Sequence, residues 1–147
     1  MKIKNRLQSS LFLICPLLLG PRSFAQELSI IEVRRNIPLS DSEPVYKDFY
    51  IHAAENTGLK KNQVVTVFRK QTIRDSSGTQ SFGDVQIPVG QLKIIAVQGR
   101  IAVAREFSLI PREEEPMLEQ IGIMTGDRID LQGSFIDNKK GSAKKGS

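Results

Sequence analysis

Few residues of this 147-residue chain have types that do chemistry, and their spacing decides what they can do. His52 is the one histidine. A general base needs a nucleophile and an orienting group beside it, and no spacing of that kind surrounds His52. One imidazole does not build a zinc site either. Glu113, Glu114 and Glu115 are consecutive. Neighbouring carboxylates on a loop point apart and repel. A calcium loop spaces its oxygens around a turning glycine, and a glycosidase pair faces across a cleft. The run reads as a solvated acidic loop. Ser76–Gly83, SSGTQSFG, lacks the order and the following helix of a phosphate-binding loop. Lys60 and Lys61 read as exposed turn residues. Tyr50, Phe68 and Phe82 are too scattered for a base-stacking platform. The expectation is a protein that is not an enzyme, with no catalytic residue, metal site or cofactor.

The elements that must position these residues read as strands. Runs rich in Val, Ile and Phe recur at short intervals with Gly, Asn, Asp and Pro between them. No dozen residues carry a capped helical stripe. Ser29–Arg35 is the first strand, followed by the loop NIPLSDSEP. In KDFYIHA, Phe49 and Ile51 share one face, with Tyr50 and His52 on the other. Val64–Arg74 is a long or bent strand. Asp75–Asp84 has the composition of a hairpin loop. IPVG leads into QLKIIAVQG, Gly99 turns the chain into RIAVAREF, and DRIDLQG closes the core. PREEEPMLEQI holds one irregular or helical turn.

One local pattern is written twice. GLKKNQVVTV (Gly58–Val67) aligns with GIMTGDRIDL (Gly122–Leu131). Gly58 and Gly122 suit a backbone with positive φ, and Asn62 and Gly126 tolerate a second such position. Leu59 and Ile123 tuck under the turns. Val65, Val67, Ile129 and Leu131 then point to a common core. Asp127 completes the second turn.

YIHAAENTGLKKNQVVTVFRK, SSGTQSFGDVQIPVGQLKIIAVQGRIAVAREF and IGIMTGDRIDL together resemble a small SH3-like barrel of bacterial envelope proteins. The stretch from about residue 48 to 132 is similar to the C-terminal domain of the flagellar H-ring assembly protein of the T type. Gly58, Leu59, Gly78, Gly90, Ala102, Ala104, Gly126 and Asp127 stand at the matching places. Asn62 stands where that pattern usually has glycine. The resemblance implies a fold module, and a flagellar role follows from it only by analogy of fold.

Composition sets the ends and the compartment. Lys2, Lys4 and Arg6 precede an apolar run, Leu11–Gly20, too short to cross a bilayer. Ser23 and Ala25 are the small residues of a signal cleavage site, which puts the cut before Gln26. The one cysteine, Cys15, lies inside that segment, so its removal leaves no thiol. No transmembrane segment remains after signal removal. The chain carries 21 Lys and Arg against 16 Asp and Glu. Residues 26–136 carry 13 basic against 15 acidic groups, so the basic pI is no argument for specific nucleic-acid binding.

The expected organisation is a signal peptide (1–25), an N-terminal strand and loop (26–46), an SH3-like β-barrel (47–133) and a disordered basic tail (134–147). Lys139, Lys140, Lys144 and Lys145 read first as a solubilising end, with weak contact to polyanions as the functional alternative. The expected function is that of an exported interaction module, periplasmic or secreted, serving an envelope protein assembly. The alternative is a module that binds cell-wall polymer. Phe82, Ser77 and Thr79 are the candidate partner-binding residues, on a loop held by a rigid scaffold. Phe82 either anchors a partner or folds back to cap the barrel end.

Overall fold

The computed structural model describes residues 27–54 and 57–139. The expected signal peptide and the last eight residues, with Lys140, Lys144 and Lys145, lie outside them. Among the described residues the chain is all-β, with no helix. Six antiparallel strands form one sheet: β1 Ser29–Arg35, β2 Lys47–His52, β3 Gln63–Arg74, β4 Ser81–Gln98, β5 Ile101–Leu109 and β6 Arg128–Ile136. The strand order β1-β2-β5-β4-β3-β6 closes on itself through one pairing, Ser29↔Arg128.

Alternation explains the core. Phe49 and Ile51 are fully buried, whereas Tyr50 and His52 on the other face are half-exposed. Phe49 pairs with Ala104 and Ile51 with Ala102. Large side chains on β2 thus fill the space left by small ones on β5, as close packing requires. Leu59, Val65, Val67, Ile123 and Ile129 join this core, and Leu131 packs half-buried against it. Each fully buried aliphatic of this kind contributes about 1.5–3 kcal/mol.

Three boundaries differ from the sequence reading. β1 belongs to the closed sheet, with Leu28 and Ile30 in the core, rather than to a segment ahead of it. β4 is one strand of 18 residues, so Ser81–Asp84 are strand and the hairpin turn is confined to residues 75–80. β6 runs to Ile136, past the expected boundary at 133, because Phe135 and Ile136 pair with Val64 and Gln63. The stretch from Pro111 to Ile121 holds bends and one irregular turn, the first of the two forms expected there.

The doubled turn is one part of a larger repeat. Leu28 and the β1 residues Ser29-Ile30-Ile31-Glu32-Val33 recur as Leu92-Lys93-Ile94-Ile95-Ala96-Val97 of β4. The offset is 64 residues (30 to 94), the same as between the two turns (65 to 129). The registers obey it. Val64↔Lys93 in β3·β4 has its counterpart in Arg128↔Ser29 in β6·β1. The β1·β2 ladder shifts register between Ile30 and Glu32, and the β4·β5 ladder shifts between the equivalent Ile94 and Ala96. Equivalent residues also face one another: Thr66 lies opposite Asp130, and Tyr50, the ladder partner of Glu32, lies opposite Val103, the partner of the equivalent Ala96. An antiparallel pair carries a local two-fold axis between its members. The two halves, β1-β2-β3 and β4-β5-β6, are therefore related by an approximate two-fold through those two pairs.

The turns match in detail. Asn62 N–H donates to Ile94 O and Gly126 N–H to Ile30 O, each at 2.8 Å. Asn62 has φ +68° and Gly126 φ +90°, the left-handed conformation that these two residue types accept most readily. Gly58 also has positive φ, but Gly122 does not: its expected role fails because the second turn needs only Gly126 in that region.

Candidate functional site

Past Phe68 and Pro88 the β3–β4 hairpin leaves the closed sheet and continues as a two-stranded arm. It has no counterpart among the described residues, since β6 past Asp130, the equivalent of Thr66, shifts register and returns to pair with Val64 and Gln63. Its tip is built by Asp75. The Asp75 carboxylate accepts from Ser77 Oγ at 2.6 Å, from Thr79 Oγ1 at 3.1 Å and from Gln80 N at 3.1 Å. The Ser77 hydroxyl foremost, then the Gln80 amide, hold its pKa below the ordinary carboxylate value. Ser77 and Thr79 therefore spend their hydroxyls organising the tip. Farther down, Asp84 ties the strands together, pairing with Lys70 at 2.7 Å and accepting from Thr72 at 2.6 Å.

Phe82 lies in β4, not in a loop. It is the extra residue between the pairs Ile73↔Gly83 and Arg74↔Ser81, and it is 66% exposed. It does not cap the closed sheet. Ile73 and Val85 are exposed beside it on the same arm. A ribbon with apolar side chains in water, fixed at its base, can present a contact surface.

The arm's base is held by a latch that the sequence reading missed. Arg69 grips Asp127 through two hydrogen bonds, Nε to Oδ1 at 2.7 Å and Nη2 to Oδ2 at 2.8 Å. The guanidinium also donates to the carbonyls of Gln120 and Gly122. Asp127, expected as a turn residue, is that and more: Oδ2 accepts from Met124 N at 2.9 Å, and the carboxylate is buried. The two partners are 58 residues apart, and no local pattern links them.

A second surface lies where β1, β2 and β5 meet. A cleft of about 410 Å³ is lined by Arg34, Arg35, Asn36, Tyr46, Asp48 and Arg105, with Glu43 and Pro44 at its margin. Asp48 receives Arg105 Nε at 2.7 Å, and that guanidinium stacks 4.4 Å from the Tyr46 ring centroid. The bond to Asp48 foremost holds the Arg105 pKa above its ordinary value. Arg34 sits 5.2 Å from the Tyr50 ring centroid and pairs with Glu32. Arg35 has no carboxylate within ion-pair distance among the described residues.

The remaining candidates are placed as follows. His52 Nε2 lies 3.3 Å from Arg100 Nη2 on the outer face. Glu113 and Glu114 are exposed in their loop, which Leu118 anchors in the core. Among the described residues no group of three or more His, Cys, Asp or Glu side chains could hold a metal ion. Arg112 Nη1 is a buried nitrogen without a hydrogen-bond partner, and nothing in the structure explains it. Lys139 lies on a docked segment: Lys93 Nζ reaches Asp137 Oδ2 at 3.2 Å and the Lys139 carbonyl at 3.0 Å. No family profile, curated protein or solved structure matches this chain.

Proposed function

We propose that the protein is an exported, non-enzymatic interaction module of the bacterial cell envelope, a small SH3-like barrel that serves a larger envelope or flagellar-type assembly. The observation that carries this reading is the arm. It rises from a closed sheet, its base is fixed by Arg69 and Asp127, and it holds Phe82 in solvent. Exposed aromatics on rigid supports are common anchors of protein interfaces. The signal-like start of the chain supports the compartment, and the basic end supports weak contact with polyanions.

Capture from envelope extracts on the immobilised protein tests the proposal. A defined protein retained by the wild type and weakly retained by the Phe82→Ser variant is the expected result. Equal retention by both variants removes the arm from the interface. A second reading, binding of cell-wall polymer, is favoured by the cleft of Arg34, Arg35, Arg105 and Tyr46, whose guanidiniums and ring suit an anionic or sugar-bearing chain. Sedimentation of the protein with purified wall, lost in Arg35→Ala, is its outcome in the same assay.

A further inference from the structure

The arm of β3 and β4 carries one edge that is both regular and open. Ile129 N–H donates to Leu28 O at 2.9 Å, so the main-chain groups of Ile129 face β1. Those of its neighbours Arg128 and Asp130 then face β3, where they meet Phe68 and Thr66. The same parity continues along β3. Lys70, Thr72 and Arg74 turn their N–H and C=O groups to the side that β6 occupies at Phe68, but β6 starts at Arg128 and pairs no farther along the arm. Among the described residues nothing bonds the main chain of these three. β3 itself is unbroken there. The extra residues at its two register shifts against β4, Val89 and Phe82, both lie in β4, and no residue of β3 has positive φ.

The two faces of this edge differ. Side chains alternate, so Arg69, Gln71 and Ile73 share the face of the core residues Val65 and Val67. Ile73 is exposed on that face, as is Val85, which pairs with Gln71. A cavity of about 210 Å³ opens beside it between Arg69, Gln71, Leu118 and Met124. Lys70, Thr72 and Arg74 share the opposite face. Lys70 pairs with Asp84, and Arg74 has no carboxylate within ion-pair distance among the described residues.

Charge decides what fits. Antiparallel pairing of two such edges about Thr72 sets Lys70 opposite a second Arg74, and like charges directly opposite destabilise a ladder. Basic residues thus guard the edge against a second copy of the chain. The same charges favour a strand that brings carboxylates to those places.

The geometry points to the β3 edge of the arm, residues 70–74, as a strand-addition site for an extended segment of a partner protein in which acidic and aliphatic residues alternate. Main-chain hydrogen bonds to Lys70, Thr72 and Arg74 supply affinity in this mode, and the two faces supply selectivity. Carboxylates of the segment lie beside Lys70 and Arg74. Its aliphatic side chains lie beside Gln71 and Ile73, and one enters the cavity at Leu118 and Met124. The inference rests on the interaction-module reading and names the class of partner that the arm takes.

The probe is a blocked heptapeptide of alternating Glu and Val, titrated into the full chain labelled with nitrogen-15. Saturable shifts are expected at the amides of Lys70, Thr72, Arg74, Leu118 and Met124, with a rise in Tm. Hydrogen exchange reads the pairing directly. The amides of Lys70, Thr72 and Arg74 should exchange fast in the free protein and slow at least about tenfold with saturating peptide, while those of Gln71 and Ile73, which face β4, stay protected throughout. Arg74→Glu, an exposed substitution, should weaken binding at least about tenfold. No saturation at millimolar peptide overturns the inference. So does equal binding of a peptide with its Glu and Val residues grouped instead of alternating. Shifts centred on Arg34, Arg35 and Arg105 also overturn it, since they mark charge attraction without strand pairing. The titration needs no envelope partner, so its failure beside a successful capture experiment removes the edge and leaves the module.

Discussion

Gln63 and Asp127 are mates in the two-fold repeat, and each closes its turn in the same way. Gln63 Oε1 accepts from Lys60 N at 2.9 Å and Asp127 Oδ2 from Met124 N at 2.9 Å. Each then reaches across to the opposite strand, Gln63 Nε2 to Ser134 Oγ at 2.9 Å and Asp127 to Arg69. One latch is neutral and the other is an ion pair. Removing one member of a buried pair leaves a charge without a partner, which costs about 3–5 kcal/mol. Arg69→Ala should therefore lower stability by about that much, against roughly 1 kcal/mol for Gln63→Ala. Adding Asp127→Gln to Arg69→Ala should recover part of the loss, since an amide serves at Gln63. Denaturant unfolding of the single and double variants checks this, and no recovery would show that the two turns are not interchangeable.

The left-handed positions of the two turns should differ in tolerance. A side chain with Cβ costs about 1–2 kcal/mol there, least for Asn. Gly126→Ala meets no neighbouring atom within 4 Å, so its cost is conformational alone. Thermal melts should place Gly126→Ala about 1 kcal/mol below the wild type and Asn62→Gly within about 0.5 kcal/mol of it. Equal melting of Gly126→Ala and wild type would contradict the conformation of the second turn.

The strands that line the core were legible because their burial is one-sided. Ser29–Arg35 and Val64–Arg74 alternate or carry β-branched runs, and they emerge almost residue for residue. Ser81–Gln86 are exposed on both faces, so no apolar period marks them as strand and Gly83 reads as loop. The turn repeat was visible through its glycines. Its extension to β1 and β4 rests on six residues and on registers that only pairing reveals. The Arg69–Asp127 latch left no signal, because ion pairs obey distance in space and not spacing in sequence.

Val65 and Ile129, equivalent by the repeat, are both buried in the core. An unpaired carboxylate there costs several kcal/mol against a total of about 5–15 kcal/mol. Val65→Asp and Ile129→Asp should each unfold the protein, while Lys61→Asp, at an exposed turn position, should melt normally. Circular dichroism melts decide between this and a core that relies on one half alone.

The arm's tip should respond to acid. The pKa of Asp75 is lowered in the folded chain by its bonds to Ser77, Gln80 and Thr79. A lowered pKa means that the stabilisation is present above the unfolded value, about 3.9, and is lost as pH falls through the folded one. The amide shifts of Gly78 and Gln80 should therefore titrate with a midpoint below about 3.9. In Asp75→Asn that titration should vanish with the rest of the sheet unchanged. A midpoint at or above the ordinary value would mean that the tip is not closed by this carboxylate.

Phe82 and Ile87 lie five positions apart on one strand and should behave oppositely. Phe82 is exposed, so Phe82→Ser removes little apolar burial and should leave Tm nearly unchanged. Had the ring capped the end of the sheet, the same change would cost about 1–3 kcal/mol. Ile87 is buried at the arm's base, where truncation leaves a cavity, so Ile87→Ala should cost about 2–5 kcal/mol. Unfolding of both variants by urea, read by circular dichroism, measures the contrast. A destabilised Phe82→Ser would place its ring against the protein and take the arm's only exposed aromatic away from any partner.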